Sequence, residues 1–191
     1  MMPSSITRQL LQTYVVMEVN YFGAVGITQK FLPLIRAHKG RIVNMSSLAG
    51  LLSAARQGAY AASKFALEAL TDSLRRELAP LGVAVVSVNP AFIKAKIGYK
   101  YVDDQKNLDQ THSSVYQHVI GAHVEKFIQR CLEKADEPTL TSAAITHAVF
   151  DAKPNDRYFV GNTDGTPAIL LALFARVLPS YLLDAILASM A

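Results

Sequence analysis

Apolar positions along the chain fall into two kinds of pattern: long stretches with spacings of three and four, and short runs apolar at nearly every position. The first kind predicts amphipathic helices and the second buried strands, and their interleaving predicts an α/β fold. A first helical stretch runs from about Ile6 to Ala37, tolerating Gly23 and Gly26, with Lys39-Gly40 as its exit. Gly40 to Ser46 predicts a strand, and a loop holding Gly50 and Gly58 leads into a second helix, about Ala59 to Leu78. Pro80 and Gly82 close that helix. Val83-Ala-Val-Val-Ser-Val88 is a continuous run of the kind found in strands covered on both faces, and Pro90 ends it.

From Lys94 to Leu140 the pattern turns polar before and around a helix of about Ser114 to Lys134. A further helix, about Thr141 to Ala152, precedes a short strand from Arg157 to Val160. Gly161-Asn-Thr-Asp-Gly165-Thr-Pro167 predicts a turn and helix start, with Thr166 as cap and Pro167 at the first helical position. The tail from Pro167 to Ala191 has an uninterrupted apolar run of eight residues, Ala168 to Ala175. That is far short of the ~20 needed to span a bilayer, so the tail is expected to pack on the sheet or a partner subunit. Peripheral membrane contact is the alternative for it. The start, Met-Met-Pro-Ser-Ser, has no secretory pattern. With no repeat, low-complexity tract or linker, residues 1–191 are expected to form a single domain.

Composition narrows the function classes. A chain of 191 residues that is 51% hydrophobic can bury one ordinary core. Its net charge of +4 comes from scattered lysines and arginines without a basic run, which argues against a nucleic-acid partner. The single Cys131 excludes an internal disulfide framework and fits an intracellular, reducing compartment. His38, His112, His118, His123 and His147 are scattered, and no His/Cys cluster has metal-site spacing.

The candidate chemistry lies in Tyr60-Ala-Ala-Ser-Lys64, with Ser47 thirteen residues upstream at the end of the first strand run. Tyr60 opening a helix after a buried strand can meet Ser47 at the carboxyl edge of a parallel sheet, where open α/β sheets keep their ligands. Lys64 lies one turn from Tyr60 on the same helix face. A phenol with a pKa near ~10 is a poor base, and a close cation favours its phenolate. Ser47 can then hydrogen-bond a substrate oxygen while Tyr60 passes the proton, so the set fits an alcohol and a carbonyl interconverting. The plainer reading pairs Lys64 with Glu68 at i+4. Yet Tyr60, Lys64, Leu67 and Leu74 share one apolar stripe, and a lysine at the edge of a core stripe needs a partner.

Asn20-Tyr-Phe-Gly23, Gly40-Arg-Ile-Val-Asn-Met-Ser-Ser47-Leu-Ala-Gly50, Tyr60-Ala-Ala-Ser-Lys64 and Val88-Asn-Pro90-Ala-Phe-Ile93 together resemble the short-chain dehydrogenase/reductase family. Phe31-Leu-Pro-Leu-Ile-Arg36 and Arg157-Tyr-Phe-Val-Gly161 are similar to its hydroxysteroid, retinol and 3-hydroxybutyrate dehydrogenase group. The resemblance implies a Rossmann-like doubly wound parallel sheet. It implies hydride transfer between NAD or NADP and a secondary alcohol or ketone, lipid-like or a small hydroxy acid. Tyr60 then matches the acid/base, Lys64 the residue that lowers its pKa and binds the nicotinamide ribose, and Ser47 the residue that orients the substrate oxygen. Asn20 matches the asparagine that holds a relay water. Its plainer role is a side chain bonding a nearby backbone carbonyl. Pro90 and Ile93 match the turn that reaches the nicotinamide amide, and the excursion after Lys94 the substrate lid.

The chain departs from the family at Ala91, where the turn normally has glycine, and at Ala95, where threonine is common. Neither Gly-x-x-x-Gly-x-Gly nor Asn-Asn-Ala-Gly occurs in it. The resemblance therefore implies a domain truncated at its amino-terminal, adenosine-binding side. The family's pairing through two long helices implies a homo-oligomer, and a cytoplasmic location is expected. The rival expectation is a catalytically inactive truncated form that acts by associating with a full-length subunit.

Overall fold

The computed structural model describes residues 12–96 and 122–190. The expected starts of the first and third helices, at Ile6 and Ser114, and residues 97–121 of the expected lid lie outside the described residues. The chain forms two compact units, Met1–Asn89 with Ala143–Tyr158, and Pro90–Ser142 with Phe159–Ala191.

In the first unit, helix α1 runs from residue 12 to Ala37 with one π-helical turn, Glu18–Phe22, before its segment Gly23–Ala37. The extra residue in that turn bonds the Gly23 N–H to the Glu18 carbonyl, five residues back. At the exit, Gly40 N–H bonds the Ile35 carbonyl at 2.8 Å while Lys39 takes the left-handed conformation, φ 47°. The left-handed residue of this cap is therefore Lys39 and not the glycine after it.

Strand β1, Arg41–Met45, pairs in parallel with β2, Ala84–Pro90, in the register Arg41↔Ala84 to Met45↔Val88. Helix α2, Gly58–Leu78, connects them through a 3-10 turn, Ala79–Leu81, and Gly82 at φ 75°. Alternate residues of β1 reach opposite layers. Asn44 donates to Thr71 of α2 at 2.8 Å, whereas Arg41 donates to the Ala148 carbonyl at 3.0 Å. Ala148 lies in helix α4, Pro138–Phe150, so helices cover both faces of the pair, the doubly wound arrangement. Ile42, Leu78, Val83 and Val85 form a core cluster against Leu32, Ile35 and Leu74. Each such side chain contributes about 1.5–3 kcal/mol on burial. Val85 to Asn89 are all buried, as a strand covered on both faces requires. Strand β3, Arg157–Val160, follows in the order β1-β2-β3, with Ser87 N–H on the Asp156 carbonyl at 3.1 Å.

In the second unit, Ile93 bridges to Asp136, and Phe92 packs edge-on against Phe127 of helix α3, Ala122–Glu133. Two short strands, β4 (Asn162–Thr163) and β5 (Thr166–Pro167), form an antiparallel hairpin. Thr166 therefore pairs with Thr163 instead of capping a helix, and Pro167 is the cap residue of α5, Ala168–Val177, instead of its first helical position. The reason is the turn: Asp164 and Gly165 both have positive φ, 50° and 88°, the Asp-Gly signature of a tight hairpin. Asp164 is further held by Lys134 at 2.6 Å and Arg130 at 3.5 Å. Burial pushes the neighbouring Cys131 thiol up to about 12, so it stays neutral. Helices α5 and α6 (Ser180–Met190) bury Ala168, Leu171 and Ala172 and leave Ile169, Leu173, Val177 and Tyr181 exposed. Among the described residues, no helix is long and apolar enough to cross a membrane.

Candidate active site

The end of β1 delivers Ser47, and the first turn of α2 delivers Tyr60, because the loop after β1 folds back on itself. Ser47 is extended, and its Oγ accepts the Ala49 N–H at 3.1 Å, starting a 3-10 turn over Leu48–Gly50. Gly50 lets that turn press on α2. A Cβ there would lie 2.9 Å from Glu68 Cγ and 3.0 Å from the Lys64 carbonyl. Gly50→Ala is therefore expected to lower stability by about 1–3 kcal/mol, read as a lower midpoint in a thermal melt.

Ser47, Tyr60 and Lys64 come together in the first unit. Burial raises the Tyr60 phenol above its ordinary value, and a hydrogen bond with Ser47 opposes this. The lowering expected from the neighbouring cation does not win. Lys64 Nζ lies 5.7 Å from the centre of the Tyr60 ring and donates to the Met45 carbonyl at 2.9 Å. Burial in turn lowers the Lys64 value, and the Glu68 carboxylate works in the opposite direction.

Asn20 sits in the π-turn and donates to Ser63 Oγ at 3.0 Å, not to a backbone carbonyl. Ser63 donates to the Tyr60 carbonyl at 2.7 Å, so Asn20 is tied to the first turn of α2. Pro90 and Ile93 belong to the second unit. Pro90 closes β2, and Ile93 lies against Gly161, where a Cβ would come 3.0 Å from its Cδ1. Among the described residues, no group of His, Cys, Asp and Glu could hold a metal ion.

Sequence reasoning missed a buried polar network beside this site. Glu68, 5% exposed, receives Asn89 Nδ2 at 2.7 Å and Arg157 Nε at 3.0 Å. Arg157 also binds Asp72 at 2.6 Å. Burial works against the guanidinium charge, but the bonds to Glu68 and Asp72 outweigh it and raise the Arg157 value. The signal was present in Glu68 itself, two turns past Tyr60 and one past Lys64. A carboxylate that close to a core stripe calls for a cation: Lys64 at i−4 acts on it through its charge, and Arg157 supplies the bonded one.

The family model described as short chain dehydrogenase matches residues 5–106, more than half of the chain. Human retinol dehydrogenase 5 is 36% identical over 185 residues, covering 90% of this chain and 55% of its own length. Mouse estradiol 17-beta-dehydrogenase 2 is 34% identical over 192 residues, covering 96% of this chain and 48% of its own length. A solved short-chain dehydrogenase from Streptomyces avermitilis is 25% identical with a TM-score of 0.66, covering 93% of this chain and 59% of that one. A Burkholderia cenocepacia short chain dehydrogenase solved with NADP shares the fold at 21% identity and a TM-score of 0.65, covering 91% of this chain and 58% of that one. The chain spans about half the length of the curated relatives it matches. The matched sequence, the parallel sheet and these relatives agree: the chain belongs to the short-chain dehydrogenase/reductase family, beside its retinol and hydroxysteroid dehydrogenases.

Proposed function

We propose that this chain carries the proton-handling half of an oxidoreductase site that interconverts a secondary alcohol and a ketone against NAD or NADP. The observation that carries the reading is the half-buried meeting of the Tyr60 phenol with Ser47, with the Lys64 ammonium 5.7 Å from its ring. The names of the relatives, retinol and estradiol dehydrogenases, favour a lipid-like alcohol over a small hydroxy acid.

The cofactor, when bound, supplies or accepts the hydride. Lys64 fits its nicotinamide ribose: a buried ammonium has three donors, and its bond to the Met45 carbonyl uses one. Pro90 and Ile93 are assigned to the nicotinamide amide on the family's pattern. Ser47 donates to the substrate oxygen. Tyr60 takes the hydroxyl proton in oxidation and returns it in reduction. With its value raised, Tyr60 is protonated at neutral pH, which suits the acid's part. Asn20 steadies this turn through Ser63.

Val19, Phe22, Phe31 and Phe65 are exposed on α1 and α2, and they support a homo-oligomer paired through these two helices. The same surface supports the second reading, an inactive form that associates with a full-length subunit. Fluorescence titration of the purified chain with NADH and NADPH, alongside light scattering, separates the two. Saturable binding is expected for the oxidoreductase. A folded, self-associated chain that binds neither nucleotide would overturn it in favour of the second reading.

A further inference from the structure

We propose that Glu68 is a positioning residue for the Ser47–Tyr60–Lys64 site, joining the helix that carries Tyr60 and Lys64 to the backbone that carries Ser47. The inference deepens the oxidoreductase reading and rests on it for its meaning in catalysis. The join runs through Asn89, which is fully buried at the end of β2. One hydrogen of Asn89 Nδ2 goes to Glu68 Oε1 at 2.7 Å and the other to the Ser47 carbonyl at 3.4 Å. Its Oδ1 accepts from Ser87 Oγ at 2.8 Å. Ser87 has a single hydroxyl hydrogen, so this bond prevails over the 3.5 Å approach to Glu68 Oε2. The Asn89 amide is thus fixed at both ends, by Glu68 and the Ser47 carbonyl on its nitrogen and by Ser87 on its oxygen.

Glu68 is held in its turn. Arg157 Nε binds its Oε2, and the same guanidinium reaches Asp72 one turn further along α2. The charged groups facing Glu68 are therefore Lys64 and Asp72 from its own helix and Arg157 from β3. Burying this carboxylate costs desolvation that a well-packed apolar residue would avoid. What it provides is an acceptor for Asn89 and a negative charge one turn from Lys64. A loss at Glu68 would reach two members of the site by separate routes, Ser47 through Asn89 and Lys64 through the field.

Nuclear magnetic resonance on the full 191-residue chain tests this without requiring turnover. The side chain of Lys64, assigned by its loss in Lys64→Arg, is titrated, and the amides of Ser47 and Ala49 are followed. Glu68→Gln is expected to move the Lys64 midpoint downward and to displace both amides, with Glu68→Asp restoring the Lys64 midpoint. A folded Glu68→Gln chain with the Lys64 midpoint and both amides unmoved overturns the proposal. Should Glu68→Gln not fold, Asn89→Ala decides: displaced Ser47 and Ala49 amides with an unmoved Lys64 midpoint support it, and unmoved amides overturn it. Turnover of the same preparations, with Tyr60→Phe as control, reports separately on the oxidoreductase reading. Turnover indifferent to Tyr60→Phe defeats that reading while the resonances still report on Glu68.

Discussion

Tyr60→Phe is expected to lower turnover of a secondary alcohol or ketone by about a thousandfold, within the range that a positioned acid or base contributes. The ring stays, so its packing on α2 is retained. Only the hydroxyl that meets Ser47 is lost, and a single hydrogen bond is worth about 1 kcal/mol of stability. The expected signature is therefore a chain that melts close to the parent and has lost its chemistry, read by steady-state turnover beside a thermal melt. Turnover retained by the variant would refute the assigned role. The direction of the phenol's shift sets the pH dependence as well. A group with a raised value keeps its proton through neutral pH, so carbonyl reduction should hold there and fail only as the medium becomes strongly alkaline.

Arg157→Met should have the largest effect on stability, about 3 kcal/mol, or a fall of about 6–12 °C in melting temperature for a domain of this size. The Arg157 side chain is 14% exposed and that of Glu68 6% exposed, so water cannot replace the lost guanidinium. Removing one member of a buried pair leaves the other charge uncompensated, which costs more than the pair itself contributes. The Asn89 amide remains on Glu68 and keeps the loss at the lower end of that range. Burial tends to raise the Asp72 carboxyl, but the hydrogen bond and charge of Arg157, with Arg76 and Arg75, hold it below the usual carboxylate range. A depressed value contributes stability above the unfolded carboxylate pKa of about 4 and loses it as the pH falls through the folded value. The gap between parent and variant should therefore narrow as the medium is acidified below about pH 4, which denaturant titrations at several pH values would show. A gap that widens in acid would mean that Arg157 does not act through Asp72.

These two residues also mark how far the sequence could be read. Ser47, Tyr60 and Lys64 were legible because their positions depend on local periodicity: a strand end, a turn and the first helical turns fix which face each occupies. The same periodicity placed β1, α2, β2 and β3 within two residues of where they stand. The Asp164-Gly165 hairpin was misread as a helix start because two positive φ values, not the sequence spacing, set the path of the chain there. The partners of the buried charges were not legible at all. Lys64 turns to the Met45 carbonyl, and Glu68 is met by Arg157 from 89 residues away. The sequence by itself determined the order of elements, the family and the candidate set Ser47, Tyr60 and Lys64, because each rests on short-range spacing. Only the tertiary structure decided which donors reach Glu68, and with them the field at Lys64 and the seat of Ser47. Desolvation and hydrogen-bond geometry in a packed core depend on segments that the chain brings together only when it folds.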